Sequence, residues 1–224
     1  MKRILSWFTS HKYCLILLYF IPYCLSYFFL GHYRTPVFDV HCRLDDLIPF
    51  NKYFVIPYCL WYLYVGAVLV LLMFRSKKEF LHFTGLLFGG TTVCILIFLF
   101  FPSSVSFRPE VAGNDLFSKV IAFLFTMDQP TNVCPSIHVY AALAAHIAIV
   151  KSQVISGGLP RWAVRSLHIC SLIFALLVCL STVFLKQHSV IDVAAAAVLC
   201  ALMYVIVYKI PWGTRAVAAC PKPE

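Results

Sequence analysis

Charged residues are scarce in this chain. Asp, Glu, Lys and Arg together make up 12% of its 224 residues, whereas hydrophobic residues make up 62%. An average soluble domain is about 25% charged, so this composition excludes the soluble globular class and is typical of a membrane protein. The chain also lacks low-complexity tracts and C-x-x-C pairs, although it has ten cysteines. These absences remove the usual sequence signals of a disordered region and of a cysteine-based zinc or redox motif.

Six apolar stretches predict the architecture. A helix needs about 20 mainly apolar residues to cross roughly 30 Å of hydrocarbon, and each stretch meets or approaches that length. The predicted spans are 13–30, 53–74, 80–101, 136–151, 166–185 and 189–208. Since the chain has no internal repeat, these spans predict a single all-α membrane domain over 1–224, a bundle of six transmembrane helices. The longest polar segment, 102–135, is expected to form an outer loop.

Basic residues predict the orientation of the bundle. Twelve of the eighteen Lys and Arg residues lie in the N-terminal segment, the second and fourth loops and the C-terminal tail. By the positive-inside rule, both termini are expected to be cytoplasmic. The formal net charge of +9 is then a signal of topology. It does not indicate nucleic-acid binding, which needs a soluble basic face.

Two stretches place histidines at the start of apolar spans on the predicted outer side. The stretch "CPSIHVYAAL" contains His138, and "KQHSVIDV" contains His188 with Asp192 four positions later. Ionisable groups at membrane depth are costly, so a cluster of them indicates a functional site. The candidate site residues are Arg108, Ser136, His138, Lys186, His188 and Asp192.

The histidines favour nucleophilic and acid–base chemistry. Residues four apart share a helix face, so Asp192 can accept a hydrogen bond from one ring nitrogen of His188. The other nitrogen then keeps its lone pair and can attack an electrophile. His138 can protonate a leaving oxygen. A nucleophile and an acid at the same end of the bundle are the groups that phosphoryl transfer through a covalent intermediate requires.

The remaining candidates indicate an anionic ligand. Ser136 lies at the start of a predicted helix, where free N–H groups and the positive end of the helix dipole favour a bound anion. Its hydroxyl can donate to the same anion. Arg108 and Lys186 would supply positive charge to phosphate oxygens, which is the main demand in phosphoryl transfer.

Three motifs carry a resemblance to a known family. The stretches "FRP", "CPSIH" and "STVFLKQHSVID" resemble the type 2 phosphatidic acid phosphatase superfamily, whose signatures read K-x6-R-P, P-S-G-H and S-R-x5-H-x3-D. The resemblance covers most of the chain, from about the second span to the sixth. It implies a membrane enzyme that acts on lipid phosphates at the outer membrane face through a phosphohistidine, without a metal or another cofactor.

The same resemblance implies roles for individual residues. His188 matches the nucleophile of the family, Asp192 its orienting carboxylate and His138 the general acid. Arg108 and Ser136 match the residues that bind the substrate phosphate. These roles agree with the chemistry expected from the residue types alone.

Three positions depart from the family pattern. Phe101 stands at the lysine of the first signature, Ile137 at the glycine of the second and Thr182 at the arginine of the third. Two of the usual cations are therefore missing, and Lys186 is the candidate to replace one of them. The P-S-x-H variant is similar to the branch that includes inositol phosphorylceramide synthases. A lipid phosphotransferase, which moves a phospho-headgroup to another alcohol, is therefore the alternative enzyme.

Other interpretations of the same residues stay open. Two histidines and an aspartate could form a zinc site. A non-catalytic transporter could bind an anion at the outer cluster, although transporters typically carry polar residues deep in several spans. A cation near a span end, such as Lys186, is often only an interfacial anchor. Cys42 and Cys134 lie on the outer side, where a disulfide between them could form.

Overall fold

Helices form most of the described chain, which covers residues 10–211 of a computed structural model. In chain order they are α1 (Lys12–Tyr33), α2 (Arg43–Leu47), α3 (Lys52–Arg75), α4 (Lys77–Phe100), α5 (Leu116–Met127), α6 (Ile137–Lys151), α7 (Gln153–Ser156), α8 (Arg161–Phe184) and α9 (Val190–Tyr208). The first part of α1, Lys12–Tyr19, and the first turn of α3, Lys52–Phe54, are 3-10 helices. Two short parallel strands, β1 (Phe38–Asp39) and β2 (Ser103–Ser104), join the segments that follow α1 and α4. The predicted all-α fold is confirmed.

Five helices are long and apolar enough to cross a membrane, namely α1, α3, α4, α8 and α9. They match five of the six predicted spans, and α8 begins about one turn earlier than expected, at Arg161. The remaining predicted span, 136–151, corresponds to α6. This helix has 15 residues and is about 22 Å long, which is shorter than the roughly 30 Å of hydrocarbon in a bilayer. The five long helices are those of a multi-pass membrane protein.

The short helix α6 lies at the centre of the bundle, where it packs against α3, α4, α8 and α9. Many of its buried residues are alanines, which let neighbouring helices approach closely. Tyr140 is fully buried, and its hydroxyl donates to the carbonyl of Leu86 in α4 at 2.5 Å. Its ring occupies the space beside Gly90, where a Cβ atom would lie 1.8 Å from the ring. This contact requires glycine, and it helps to hold α6 against α4.

The starts of α6 and α9 lie side by side. Ser136 caps α6, because its Oγ accepts from the N–H of Val139 at 3.4 Å. Ser189 caps α9 in a capping box, and its own backbone N–H donates to the Asp192 carboxylate at 2.9 Å. The backbone N–H of Ser136 donates to the carbonyl oxygen of Asp192 at 3.2 Å. These bonds join the two histidine-bearing segments that the sequence separates.

The segment 102–135 contains a helix, α5, where the sequence predicts only an outer loop. Asp115 caps this helix, accepting from the N–H groups of Phe117 and Ser118 at 3.1 and 3.2 Å. The helix packs against α3, and Ile121 is fully buried. A search for runs of about 20 apolar residues misses a helix of 12. The signal present in the sequence is an aspartate directly before a short apolar run.

Candidate active site

The turn from α8 into α9 carries His188. The backbone N–H groups of Gln187 and His188 both donate to the carbonyl of Thr182, at 2.9 and 3.2 Å. His188 Nδ1 lies 3.2 Å from Asp192 Oδ2, and both side chains are buried. An ionised carboxylate can only accept, so this contact places the imidazole hydrogen on Nδ1 and leaves the lone pair on Nε2. The predicted contact between His188 and Asp192 is present, although His188 lies just before α9 and not within it.

His138, in the first turn of α6, packs against an aromatic pair formed by Tyr58 and Trp61 of α3. Its ring centroid is 4.5 Å from the centroid of each of these two rings. The same centroid is 5.9 Å from that of His188, with 60° between the two ring planes. Both histidines are buried. The two imidazoles are therefore close enough to contact one small group from different sides.

Arg108 reaches this region from the segment between β2 and α5. Its Nη1 donates to the carbonyl of Asp128 at 2.5 Å, and its Nη2 donates to the carbonyl of Gln129 at 3.4 Å. Nη2 also donates to the side-chain oxygen of Gln187, and the guanidinium lies over the ring of Phe125. Burial lowers the pKa of the guanidinium, because it disfavours the charged form. The negative charge of Asp128 opposes this effect, and the buried Nε, which has no partner among residues 10–211, leaves a donor for an anionic ligand.

Lys186 is bound to α2, the short helix that follows α1. Its Nζ donates to the carbonyl of Asp45 in α2 at 2.6 Å and lies 5.6 Å from the centre of the Phe107 ring. Its backbone has a φ of 57°, in the left-handed region, where the chain turns towards α9. The ammonium group therefore ties α2 to the turn that carries His188. Its predicted role as a phosphate-binding cation competes with this existing hydrogen bond.

Asp45, in α2, holds the start of α9. Its Oδ2 accepts from the hydroxyl of Ser189 at 2.6 Å and from the N–H of Cys42 at 2.8 Å. Its Oδ1 accepts from the N–H of Val190 at 2.8 Å. Burial alone would raise the pKa of this carboxyl, but the hydrogen bonds outweigh it and the pKa lies below its usual value. An ionised Asp45 thus fixes the residues directly after His188.

Asp128 is a further acidic residue of the site that the sequence does not predict. Its carboxylate accepts from the hydroxyls of Tyr27 and Tyr58, each at 2.9 Å. It lies directly after α5, and its carbonyl is the acceptor for Arg108. The sequence signal available was an acid a few residues before the "CPSIH" stretch. Asp128 thus connects α1, α3 and the loop that carries Arg108.

Several buried nitrogen donors in this region have no hydrogen-bond partner within the described chain. They belong to Trp61 (Nε1), Arg108 (Nε), Asn132 (Nδ2) and Gln187 (Nε2), and the one further such nitrogen is His168 Nε2 in α8. Buried N–H groups are nearly always paired, because an unpaired one costs about 1–3 kcal/mol. A ligand with several acceptor oxygens, such as a phosphate group, can satisfy a set of this kind.

A pocket of about 520 Å³ extends from the two histidines. Near the histidines its wall includes the polar side chains of Asp128 and Asn132. It continues along α3 from Tyr58 to Leu69, about 16 Å of helix, between apolar and aromatic side chains of α1, α3 and α4. One end of the pocket therefore suits a polar head group, and the rest suits a hydrocarbon chain.

The structure also bears on the possible disulfide and on the possible metal site. Cys42 and Cys134 are both free thiols, so the disulfide considered from the sequence is not formed. Burial and the neighbouring Asp192 carboxylate raise the pKa of the Cys134 thiol to about 12, so it stays protonated near neutral pH. Within residues 10–211, no group of three or more His, Cys, Asp and Glu side chains is placed to hold a metal ion.

The structure brings most of the predicted site residues together. Ser136 is fully buried at the start of α6, and its hydroxyl can donate while it accepts from the helix. His138 and His188 face each other, and Arg108 approaches through Gln187. The Lys186 ammonium is bound to the Asp45 carbonyl in α2. No protein-family model, curated protein or solved structure matches the chain.

Proposed function

We propose that this chain is an integral membrane lipid phosphate phosphatase of the type 2 phosphatidic acid phosphatase kind. The observation that carries the proposal is the meeting of His138, the His188–Asp192 pair and unpartnered N–H donors at the polar end of an apolar pocket. A phosphate group on a hydrocarbon tail complements both parts of that pocket. The distribution of basic residues favours cytoplasmic termini and a site that opens on the extracytoplasmic side.

In the proposed reaction, His188 Nε2 attacks phosphorus while the bond from phosphorus to the alcohol oxygen breaks. Asp192 holds the Nδ1 hydrogen and stabilises the positive charge that the ring acquires. His138, protonated at the start, gives its proton to the departing oxygen. A water molecule then gives a proton to His138 and attacks phosphorus, which breaks the bond to His188 and releases inorganic phosphate. Both histidines return to their starting protonation states.

The remaining groups act on the charge of the phosphate oxygens. Arg108 has its Nε without a partner and holds a positive charge whose other hydrogen bonds go to uncharged oxygens. The Ser136 hydroxyl and the positive end of the α6 dipole lie next to His138. Donors that are held in place before the reaction stabilise developing negative charge without reorganisation. They support catalysis by a site in which Arg108 is the proposed phosphate-binding cation.

The proposal is tested with purified protein and a panel of lipid phosphates, with and without alcohol acceptors. Released inorganic phosphate and transferred head group are measured separately in each reaction. A phosphatase releases phosphate from at least one lipid, and the release requires His188. Transfer of the head group to the added alcohol would identify the phosphotransferase instead. Neither product from any lipid would contradict the enzymatic proposal.

Two further measurements separate the remaining alternatives. Activity should survive EDTA, and a loss that zinc restores would identify a zinc site at the same residues. A transporter would bind lipid phosphates or move them between leaflets without changing them. Binding or transport of intact substrate by protein that releases no phosphate would therefore favour the non-catalytic class.

A further inference from the structure

Gln187 is a long, buried polar side chain beside the proposed nucleophile. It is 1% exposed and directly precedes His188. Its backbone N–H donates to the Thr182 carbonyl, which fixes its position at the end of α8. A long polar side chain rarely occupies such a place unless both ends of its amide have partners.

The orientation of the Gln187 amide follows from its neighbour. Arg108 Nη2 donates to Gln187 Oε1. A guanidinium has only donors, so the NH₂ group of the amide cannot take the position of the oxygen. Gln187 Nε2 must therefore lie on the other side of the amide, where it has no partner among residues 10–211. Arg108 Nε is also buried and without a partner.

We propose that Gln187 binds the substrate phosphate, with Nε2 donating to one phosphate oxygen while Arg108 donates to another. The inference rests on the proposed phosphatase function. It supplies the second phosphate-binding side chain that the sequence assigned to Lys186, whose Nζ is bound to the Asp45 carbonyl. A neutral amide serves here because it can be buried next to a nucleophile at a lower cost than a second cation.

The alternative role for Gln187 is purely structural, as a brace that holds Arg108. The two roles differ in what Gln187→Met should do. As a brace, Gln187 acts only through Arg108, so in an Arg108→Met background the second substitution has no further effect on kcat/KM. As a phosphate ligand, Gln187 contributes independently, and the double variant loses more than Arg108→Met alone.

The experiment measures two quantities on wild type, Gln187→Met and the matched control Gln153→Met, whose side chain is exposed at the start of α7. The first quantity is the half-saturating concentration of inorganic phosphate, from thermal shifts. The second is KM and kcat for a lipid phosphate. In Gln187→Met the half-saturating concentration should rise about tenfold or more, because a hydrogen bond to a charged oxygen is lost. Gln153→Met should match wild type in both quantities.

The outcomes distinguish this inference from the proposed function. If wild type hydrolyses lipid phosphates and Gln187→Met has unchanged phosphate affinity and KM, the role of Gln187 is wrong and the phosphatase function stands. If Gln187→Met adds nothing to Arg108→Met, Gln187 is a brace and not a ligand. If wild type neither hydrolyses lipid phosphates nor gains thermal stability from phosphate, the function fails and the inference fails with it.

Discussion

The two histidines of the site lie at the starts of neighbouring helices in opposite surroundings. His188 precedes the serine cap of α9 and has a carboxylate oxygen 3.2 Å from Nδ1. His138 follows the serine cap of α6 and packs against the rings of Tyr58 and Trp61, with centroids 4.5 Å away. A carboxylate thus holds His188, whereas aromatic rings hold His138.

This difference supports the two proposed roles. A carboxylate fixes the tautomer of His188 and supports positive charge on its ring, as a nucleophile that becomes phosphorylated requires. Aromatic rings shield His138 from water without fixing the position of its hydrogen. A bound phosphate would then be the charge that stabilises its imidazolium form, as a general acid requires. Substitutions at or around each histidine test this assignment.

The largest effect is expected at His188. His188→Ala should reduce turnover on the order of 10⁴-fold or more, because it removes the proposed nucleophile. Phosphate release from a lipid phosphate measures the loss, and thermal melting in detergent shows whether the variant is folded. His32→Ala, on an exposed side chain at the end of α1, is the matched control. A folded His188→Ala protein with normal turnover would exclude the mechanism.

His138→Ala should have a smaller effect that depends on the substrate. With a lipid alkyl phosphate, loss of the general acid should cost about 10²–10⁴ in rate. With an aryl phosphate, whose leaving group needs no proton, most of that loss should disappear. His188→Ala should be equally inactive on both substrates. Equal losses for His138→Ala on the two substrates would show that His138 does not protonate the leaving oxygen.

Asp45→Asn tests the support behind His188. It should lower kcat with little change in KM, and it should cost about 1.5–3 kcal/mol of stability at neutral pH, because buried charge-assisted hydrogen bonds are lost. The folded pKa of Asp45 is lowered, so its contribution is present above the unfolded value of about 3.9 and is lost as pH falls through the folded value. The difference in melting temperature should therefore shrink in acid.

Asp46→Asn is the matched control for Asp45, because the neighbouring carboxylate is exposed and its one ion pair within residues 10–211 is with the surface residue His41. It should leave both kcat and the melting temperature close to wild type. If Asp45→Asn lowers the melting temperature but leaves kcat unchanged, Asp45 stabilises the fold without positioning His188.

The smallest effect is expected at Lys186. Lys186→Ala should change kcat/KM by no more than about threefold, since the ammonium already donates to the Asp45 carbonyl and Gln187 is the proposed second phosphate ligand. Steady-state kinetics on a lipid phosphate measure the change. A rise in KM of tenfold or more would restore Lys186 as the phosphate-binding cation and remove the need for Gln187 in that role.

Parts of the site could be predicted because they depend on short spacings. Asp192 follows His188 by four residues, so the geometry of one helical turn brings them together. Ser136 and the start of α6 were predicted from the beginning of an apolar run. The possible disulfide between Cys42 and Cys134 rests only on the prediction that both residues lie on the outer side of the membrane. Two cysteines on the same side of a membrane need not lie close enough to form a bond.

Other parts depend on contacts that no local pattern encodes. Asp45 binds Ser189 across 144 residues of sequence, and Arg108 meets Gln187 across 79. The helix α5 was not predicted because it is short and lies outside the apolar spans. Asp128, which directly follows α5, was not predicted for the same reason. Residues of these types are common in loops, so only their hydrogen-bond partners in the folded chain show that they matter.

The sequence by itself determined that the protein lies in lipid, that it folds into helices and that a histidine pairs with a carboxylate. Lipid admits few charges and requires every backbone group to be paired, so composition and the length of apolar runs select helices. Tertiary structure alone decided which polar groups face the histidines. The packing of α6 against its neighbours and the closure of α2 onto α9 direct Lys186 to a carbonyl and place Gln187 against Arg108. Hydrogen bonds act over about 3 Å, so only the folded chain determines which donor and acceptor meet.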